Sequence, residues 1–459
     1  MNSGFQQDTI IALATPSGSG AIAIIRLSGP KAISLTNTYF KGKNLQEQAS
    51  HTIHFGTLRN EANAILDEVL ISLFIAPHSF TKEDVVEISC HGSNYVIQEI
   101  ISLFLRNGAR HAKPGEFTQR AFLNGQFDLA QAEAVADLIA ADSSAAHQAA
   151  LNQLRGGFSK EIKQLREQLI HFASLIELEL DFSEEDVEFA DRNQVEELIT
   201  KLLEVINKLL ASFATGKAIK HGVPTVIAGQ PNVGKSTLLN ALVNEEKAIV
   251  SDIAGTTRDF IEDEIIIKGI HFRFIDTAGL RESTDTIEKL GIARTREKMA
   301  QASLVLYLVD LVNNKPEALK EELKPVHALN KPLVLIGNKG DKISQEELAN
   351  WQKGYPELVT ISAAEKMGLD KLQEVILETA NLAHINSDQT IVTTSRHYQS
   401  LLQTKESLNQ VLEGLASGVT GDFLAMDIRH ALHHLGEISG EITTDDLLEN
   451  IFSKFCIGK

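Results

Sequence analysis

Gly229-Gln230-Pro231-Asn232-Val233-Gly234-Lys235-Ser236-Thr237 fits G-x-x-x-x-G-K-[ST], the loop that wraps nucleotide phosphates, and it decides the fold of the middle of this chain. The apolar run 225–228 before it reads as a buried strand, and 237–242 after it as a helix start. Backbone N–H groups of such a loop and of the helix N-terminus cradle phosphates. In that setting Lys235 neutralises the β- and γ-phosphates, and the Ser236 hydroxyl is a ligand for Mg²⁺.

Three further motifs follow in order. Residues 272–275 read as a strand running into Asp276-Thr277-Ala278-Gly279, where Asp276 could hold Mg²⁺ through water and the Gly279 N–H could sense the γ-phosphate. The apolar run 333–336 leads into Asn338-Lys339-Gly340-Asp341, the N-K-x-D pattern. Asp341 can accept two hydrogen bonds, from N1–H and the 2-amino group of guanine; adenine has neither donor and would leave the carboxylate unpaired. After a strand at 358–361, a backbone N–H at Ser362-Ala363 could meet the guanine oxygen. Order and strand-end placement predict a GTPase domain.

Departures from the Ras pattern bear on mechanism. Leu280 stands where a water-orienting glutamine is expected. Glu288 is the candidate replacement, with Glu282 second; a solvated acidic surface is the plainer reading of both. Asn232 could ligate a monovalent cation where an arginine finger would otherwise act, or simply favour the turn. In Ser251-Asp252-Ile253-Ala254-Gly255-Thr256-Thr257-Arg258, Thr257 could give Mg²⁺ a second hydroxyl, and carbonyls around Ser251 and Ile253 could complete a cation shell. Arg258 reads equally as a phosphate contact or a surface ion pair.

Composition sets bounds. A chain of 459 residues holds about three domains. Its net charge of −18 is acidic for a protein that grips nucleic acid across a broad face, so RNA contact requires a local basic patch or a basic partner. Cys90 and Cys456 predict reduced thiols rather than a disulfide. With no apolar run near about 18 residues and no signal-peptide pattern, a cytoplasmic protein off the membrane is expected.

Along the chain, residues 9–14 and 21–27 read as strands around Pro16-Ser17-Gly18-Ser19-Gly20, a hairpin rather than a second phosphate loop. Strand signal recurs at 69–75 and 85–89, with a helix at 95–106. From Asp128 the pattern turns helical at 130–141, 148–180 and 195–213, and again from 394. The expectation is a multidomain chain: an α+β N-terminal domain (1–125), an α-helical bundle built from 126–221 and 384–459, and an α/β P-loop GTPase domain (222–383) inserted in it. His430, His433 and His434 share a helical face, a spacing that suits a metal, but no cysteine or carboxylate visibly converges on them. Phe455-Cys456-Ile457-Gly458-Lys459 follows a helix read at 445–455; a positioned thiol, a charge near a ligand and a loose tail all remain open. It only superficially resembles a prenylation box.

Taken together, the phosphate loop, the 252–259 and 276–282 blocks, the N-terminal stretch 8–29, the block 113–141 and the final Cys456-Ile457-Gly458-Lys459 resemble the MnmE (TrmE) tRNA-modification GTPases over essentially the whole chain. The resemblance implies a homodimer held by the N-terminal domains and K⁺-activated GTP hydrolysis that brings two GTPase domains together. It implies the flavoprotein MnmG as partner, a 5-aminomethyl or 5-carboxymethylaminomethyl product on the wobble uridine of certain tRNAs, and 5-formyltetrahydrofolate or a related tetrahydrofolate as one-carbon donor. By position, Asn232, Ser251, Ile253 and Thr256 match the K⁺ site, and Ser236 and Thr257 match the Mg²⁺ ligands. Glu288 matches the residue that organises the attacking water; Arg26, Glu87 and Lys459 match folate contacts, and Cys456 matches the thiol of the final motif. One departure stands out. Gln126 occupies a position where relatives often carry a lysine that touches folate, which predicts weaker affinity for its glutamate tail. An RNA-binding ribosome-assembly GTPase is the alternative, and a folate-binding scaffold with a merely switching GTPase domain is a third reading.

Overall fold

The computed structural model describes residues 8–181, 192–246, 263–275, 297–382 and 390–458. Its contacts divide the chain into two compact units: residues to 139 with 153–202 and 403 onward, and residues 140–152 with 203–402.

The first unit contains a seven-stranded sheet in the order Phe40–Lys41, Thr52–Arg59, Ile65–Phe74, Val85–His91, Ile22–Ser28, Thr9–Leu13, Ala109–His111. The expected hairpin is there: Thr9–Leu13 pairs antiparallel with Ile22–Ser28, Ile10 opposite Ser28. Alternation sends Ile25, Leu27, Ile71, Val86 and Ile88 to one face, where helix Asn94–Arg106 covers them with Ile97, Ile100 and Phe104. On strands Thr52–Arg59 and Ile65–Phe74, Ile53, Phe55 and Leu70 stay exposed, with Phe55 directly opposite Leu70.

A buried ionic network braces this unit. Arg120, on helix Glu116–Leu123, is 4% exposed and meets Asp8, Glu83 and Glu116. Burial alone would raise the Glu116 carboxyl, but hydrogen bonds from Arg110, the Lys113 backbone and Arg120 hold it below the ordinary carboxylate value.

The helical reading 148–180 is interrupted in the structure. One helix ends at Leu154, and the next runs Gly157–Asp181, because Gly156 between them takes φ +82°, outside the right-handed helical region, while Gln131 Nε2 caps the Leu154 carbonyl. Helix Gly157–Asp181 packs on Gly421–Ser439, and Arg166 reaches from it to the Leu432 carbonyl at 2.6 Å. The last helix, Asp445–Phe452, is three residues shorter than the reading to 455; Thr444 caps its start through the Leu447 N–H.

The second unit is built on a six-stranded sheet ordered Val359–Thr360, Leu333–Asn338, Leu304–Asp310, Val223–Ala228, Ile270–Phe274, Asp263–Ile267. Its neighbours run parallel except at the Asp263–Ile267 edge. Every residue of Leu304–Asp310 is buried, and alternate side chains enter cores on opposite faces. Helices Lys235–Glu246 and Leu369–Thr379 cover one face; Pro316–His327 and Gln345–Gly354 cover the other. This is a doubly wound α/β layer structure, whose ligands bind beyond the carboxyl ends of the strands. No helix among the described residues is long and apolar enough to cross a membrane.

Candidate functional site

In the second unit, the strand ends at 228 and the phosphate loop turns into a helix that starts at Lys235, two residues earlier than the sequence suggested. Lys235 Nζ donates to the Gly229 and Gln230 carbonyls at 2.9 and 2.8 Å, so the ammonium is curled over its own loop. Burial holds it below the ordinary lysine value. Asn232 is exposed with φ +60°, Val233 is buried, Ser236 is half-buried and Thr237 exposed. Gly234 has φ +100°, and a Cβ there would collide with the Asn338 amide; glycine lets the two loops touch.

That contact extends into the loop that follows strand Leu333–Asn338. Asn338 is 4% exposed; its Nδ2 donates to the Val233 carbonyl at 2.9 Å and its Oδ1 accepts from the Ala363 N–H at 3.0 Å. The Ser362 N–H donates to the Met367 carbonyl. Lys339, at φ +63°, places Nζ 2.6 Å from Asp310 Oδ2. Asp341 lies exposed on the turn Gly340–Lys342. Asp310 was missed by sequence reasoning, although an apolar strand closing on an acid was the signal. Burial alone would raise its carboxyl, but bonds from Lys339, Asn313 and the Val312 N–H hold it low.

The first unit gathers a second set of residues. Arg26 Nη2 lies 2.8 Å from Glu87 Oε1, and its Nη1 donates to the Gly458 carbonyl at 3.3 Å. The guanidinium sits 5.9 and 5.6 Å from the ring centres of Phe80 and Phe117. Segment 456–458 is held there by the Gly115 N–H on the Cys456 carbonyl. Gly458, at φ +93°, lies so close to the Leu13 carbonyl that a Cβ would collide with it. Neither Phe80 nor Phe117 was foreseen, since nothing in their local sequence marks a ring-lined site.

A model of the MnmE helical domain matches residues 129–456, and one of the GTP-binding protein TrmE N-terminus matches 9–126. The chain belongs to the MnmE family of GTPases. It is 59% identical to the tRNA modification GTPase MnmE of Cytophaga hutchinsonii, over 98% of each chain. Identity is 53% to the protein of that name from Flavobacterium psychrophilum, over 98% of this chain and 99% of that one. It is 54% to that from Christiangramia forsetii, with the same coverage.

Of the candidate site residues, Asn232, Val233, Gly234, Lys235, Ser236, Thr237, Asn338, Lys339, Asp341, Ser362 and Ala363 lie in the second unit, and Arg26, Glu87 and Gln126 in the first. Ser251, Asp252, Ile253, Ala254, Gly255, Thr256, Thr257, Arg258, Asp276, Thr277, Ala278, Gly279, Glu288 and Lys459 lie outside the described residues, as do Leu280 and Glu282. Of the three histidines, His433 and His434 converge with Glu437, a carboxylate the sequence reading had not seen there.

The two thiols differ sharply. Cys456 is exposed, whereas Cys90 is buried, and burial with nearby Asp67 pushes its thiol up to about 11. Iodoacetamide at pH 8 is expected to label Cys456 alone, read by peptide mass spectrometry; comparable labelling of Cys90 would contradict its burial.

Proposed function

We propose that this chain is a K⁺-activated GTPase that, with the flavoprotein MnmG, installs a 5-aminomethyl or 5-carboxymethylaminomethyl group on the wobble uridine of certain tRNAs in the cytoplasm. The nucleotide lies along Asn232–Thr237, its guanine on Asp341 and its ribose side beside Lys339. When a phosphate arrives, Lys235 exchanges two loop carbonyls for anionic oxygens, a trade that strengthens as negative charge grows in the transition state. The Ser236 hydroxyl, on the first turn of its helix, is the hard oxygen donor that suits Mg²⁺. Thr257 is the second Mg²⁺ hydroxyl, and Asp276 the carboxylate acting through water. Asn232, exposed beside the phosphates, offers an amide oxygen to K⁺, with Ser251, Ile253 and Thr256 completing the shell. Glu288 orients the attacking water, and Arg258 meets phosphate.

The Arg26 site fits a folate. A guanidinium held in place by Glu87 and bounded by two phenyl rings suits a flat, hydrogen-bonding heterocycle. Bound tetrahydrofolate would supply the one-carbon unit. Arg26 and Glu87 would orient it, and Gln126 and Lys459 are the further candidate contacts. Homodimerisation through the first unit is supported by the outward apolar trio Ile53, Phe55 and Leu70. The division 1–125, 126–221 with 384–459, and 222–383 remains our reading of the domains.

The observation that carries this reading is segment 456–458 lying on Arg26, which joins the family's final motif to the N-terminal site. The test is GTP hydrolysis in K⁺ against Na⁺ at equal ionic strength, alongside Asn232→Ala, with wobble nucleosides measured by mass spectrometry in cells dependent on this chain. K⁺ stimulation of at least about tenfold, lost in the variant, is expected. Equal rates in both salts would remove the ion from the mechanism, and unmodified uridine would remove the tRNA reaction.

A further inference from the structure

The loop bearing Phe80 continues through Thr81, Lys82 and Glu83, and both neighbours of Lys82 are pinned. Thr81 is fully buried, its hydroxyl 2.7 Å from Ser28 Oγ. Ser28 in turn donates to Glu83 at 2.7 Å, and Glu83 pairs with the buried Arg120. Held between them, Lys82 has φ +59°, a conformation that glycine adopts freely and that strains a residue with a Cβ. Strain that its surroundings impose on a lysine points to a use for that side chain.

The side chain does reach a defined place. Lys82 Nζ donates to the Gly125 carbonyl at 2.6 Å, one residue before Gln126. Phe80 and Phe127, on either side of this contact, have ring centres 5.8 Å apart, and Phe80 also lies under Arg26. Loop 80–83 and turn 125–127 thus form one rim of the Arg26 site. Charge along that rim is uneven. Arg26 is offset by Glu87, and Arg120 by Asp8, Glu83 and Glu116, while Gln126 is neutral. Among the described residues, the Lys82 ammonium meets a neutral carbonyl and no carboxylate, so its charge is available to an anionic ligand there.

We propose that Lys82 binds the glutamate carboxylates of a tetrahydrofolate held at the Arg26 site, in the role that the neutral Gln126 cannot fill. This rests on the folate reading above. The lysine reaches the turn just before Gln126 from the connection between strands Ile65–Phe74 and Val85–His91, so the chain keeps affinity for the charged tail despite the change at 126.

Calorimetric titration of the full-length protein with 5-formyltetrahydrofolate, as monoglutamate and as triglutamate, tests this. Lys82→Gly retains the backbone conformation, so its thermal melting point stays near that of the unsubstituted protein and loss of fold is not a confounder. It should weaken triglutamate binding about tenfold, with a smaller loss for the monoglutamate, and adding Gln126→Lys should recover most of the affinity. If the unsubstituted protein binds folate and Lys82→Gly binds both forms equally well, the proposal for Lys82 is overturned while the folate site stands. If the unsubstituted protein binds neither form, the folate reading itself fails.

Discussion

Lys235→Ala is expected to lower GTP turnover about a thousandfold, the scale of losing a positioned charge at a developing anion. The structure explains why so much hangs on one ammonium. In the free protein two carbonyls of its own loop hold Nζ, and these are the partners that phosphate oxygens are expected to replace. Burial disfavours the ammonium in the free protein, and a phosphate reverses that preference. Nucleotide binding therefore takes up a proton once the pH exceeds the lysine's value in the free protein, and affinity falls as pH rises further. Steady-state phosphate release and nucleotide Kd across pH 7–10 measure both effects; a variant rate within tenfold of the unsubstituted rate would deny Lys235 this role.

The second large effect is expected at Asn338. Its amide ties the phosphate loop to the base-side loop, through the Val233 carbonyl and the Ala363 N–H. Asn338→Ala would leave both backbone groups buried without a partner, at about 1–3 kcal/mol each, and would release the two loops from one another. Nucleotide affinity should drop about a hundredfold or more, for GDP as well as GTP, because the damage lies in the frame rather than in a γ-phosphate contact. Titration with a fluorescent GDP analogue reads this. A loss confined to GTP would place the residue in a different role.

Much of the second unit was legible because its chemistry and its fold obey the same local rule. A buried parallel strand is a short apolar run, and the functional loop sits at its carboxyl end, so 225–228, 333–336 and 358–361 announced both at once. Asp310 and Lys339 show the limit: their ion pair joins strand ends that lie side by side only once the sheet forms. In the first unit, strand Thr52–Arg59 escaped notice because half of its alternate residues are apolar on the exposed face, which blurs the alternation. The Arg26 site was legible only through family resemblance. Its rings come from loop 80 and helix Glu116–Leu123, and its carbonyl from Gly458, a convergence that no local spacing encodes.

The contact between Arg26 and Gly458 spans 432 positions of the chain. At ribosomal elongation rates of about 5–20 residues per second, roughly 20–90 s separate the synthesis of its two partners. For most of that interval, once Phe117 has been made, the N-terminal sheet can form with its guanidinium and both rings in place, yet the seat beside Leu13 stays open. Competence at this site is thus timed by translation, and a nascent chain cannot engage a ligand in the finished geometry until the intervening second unit has also been made.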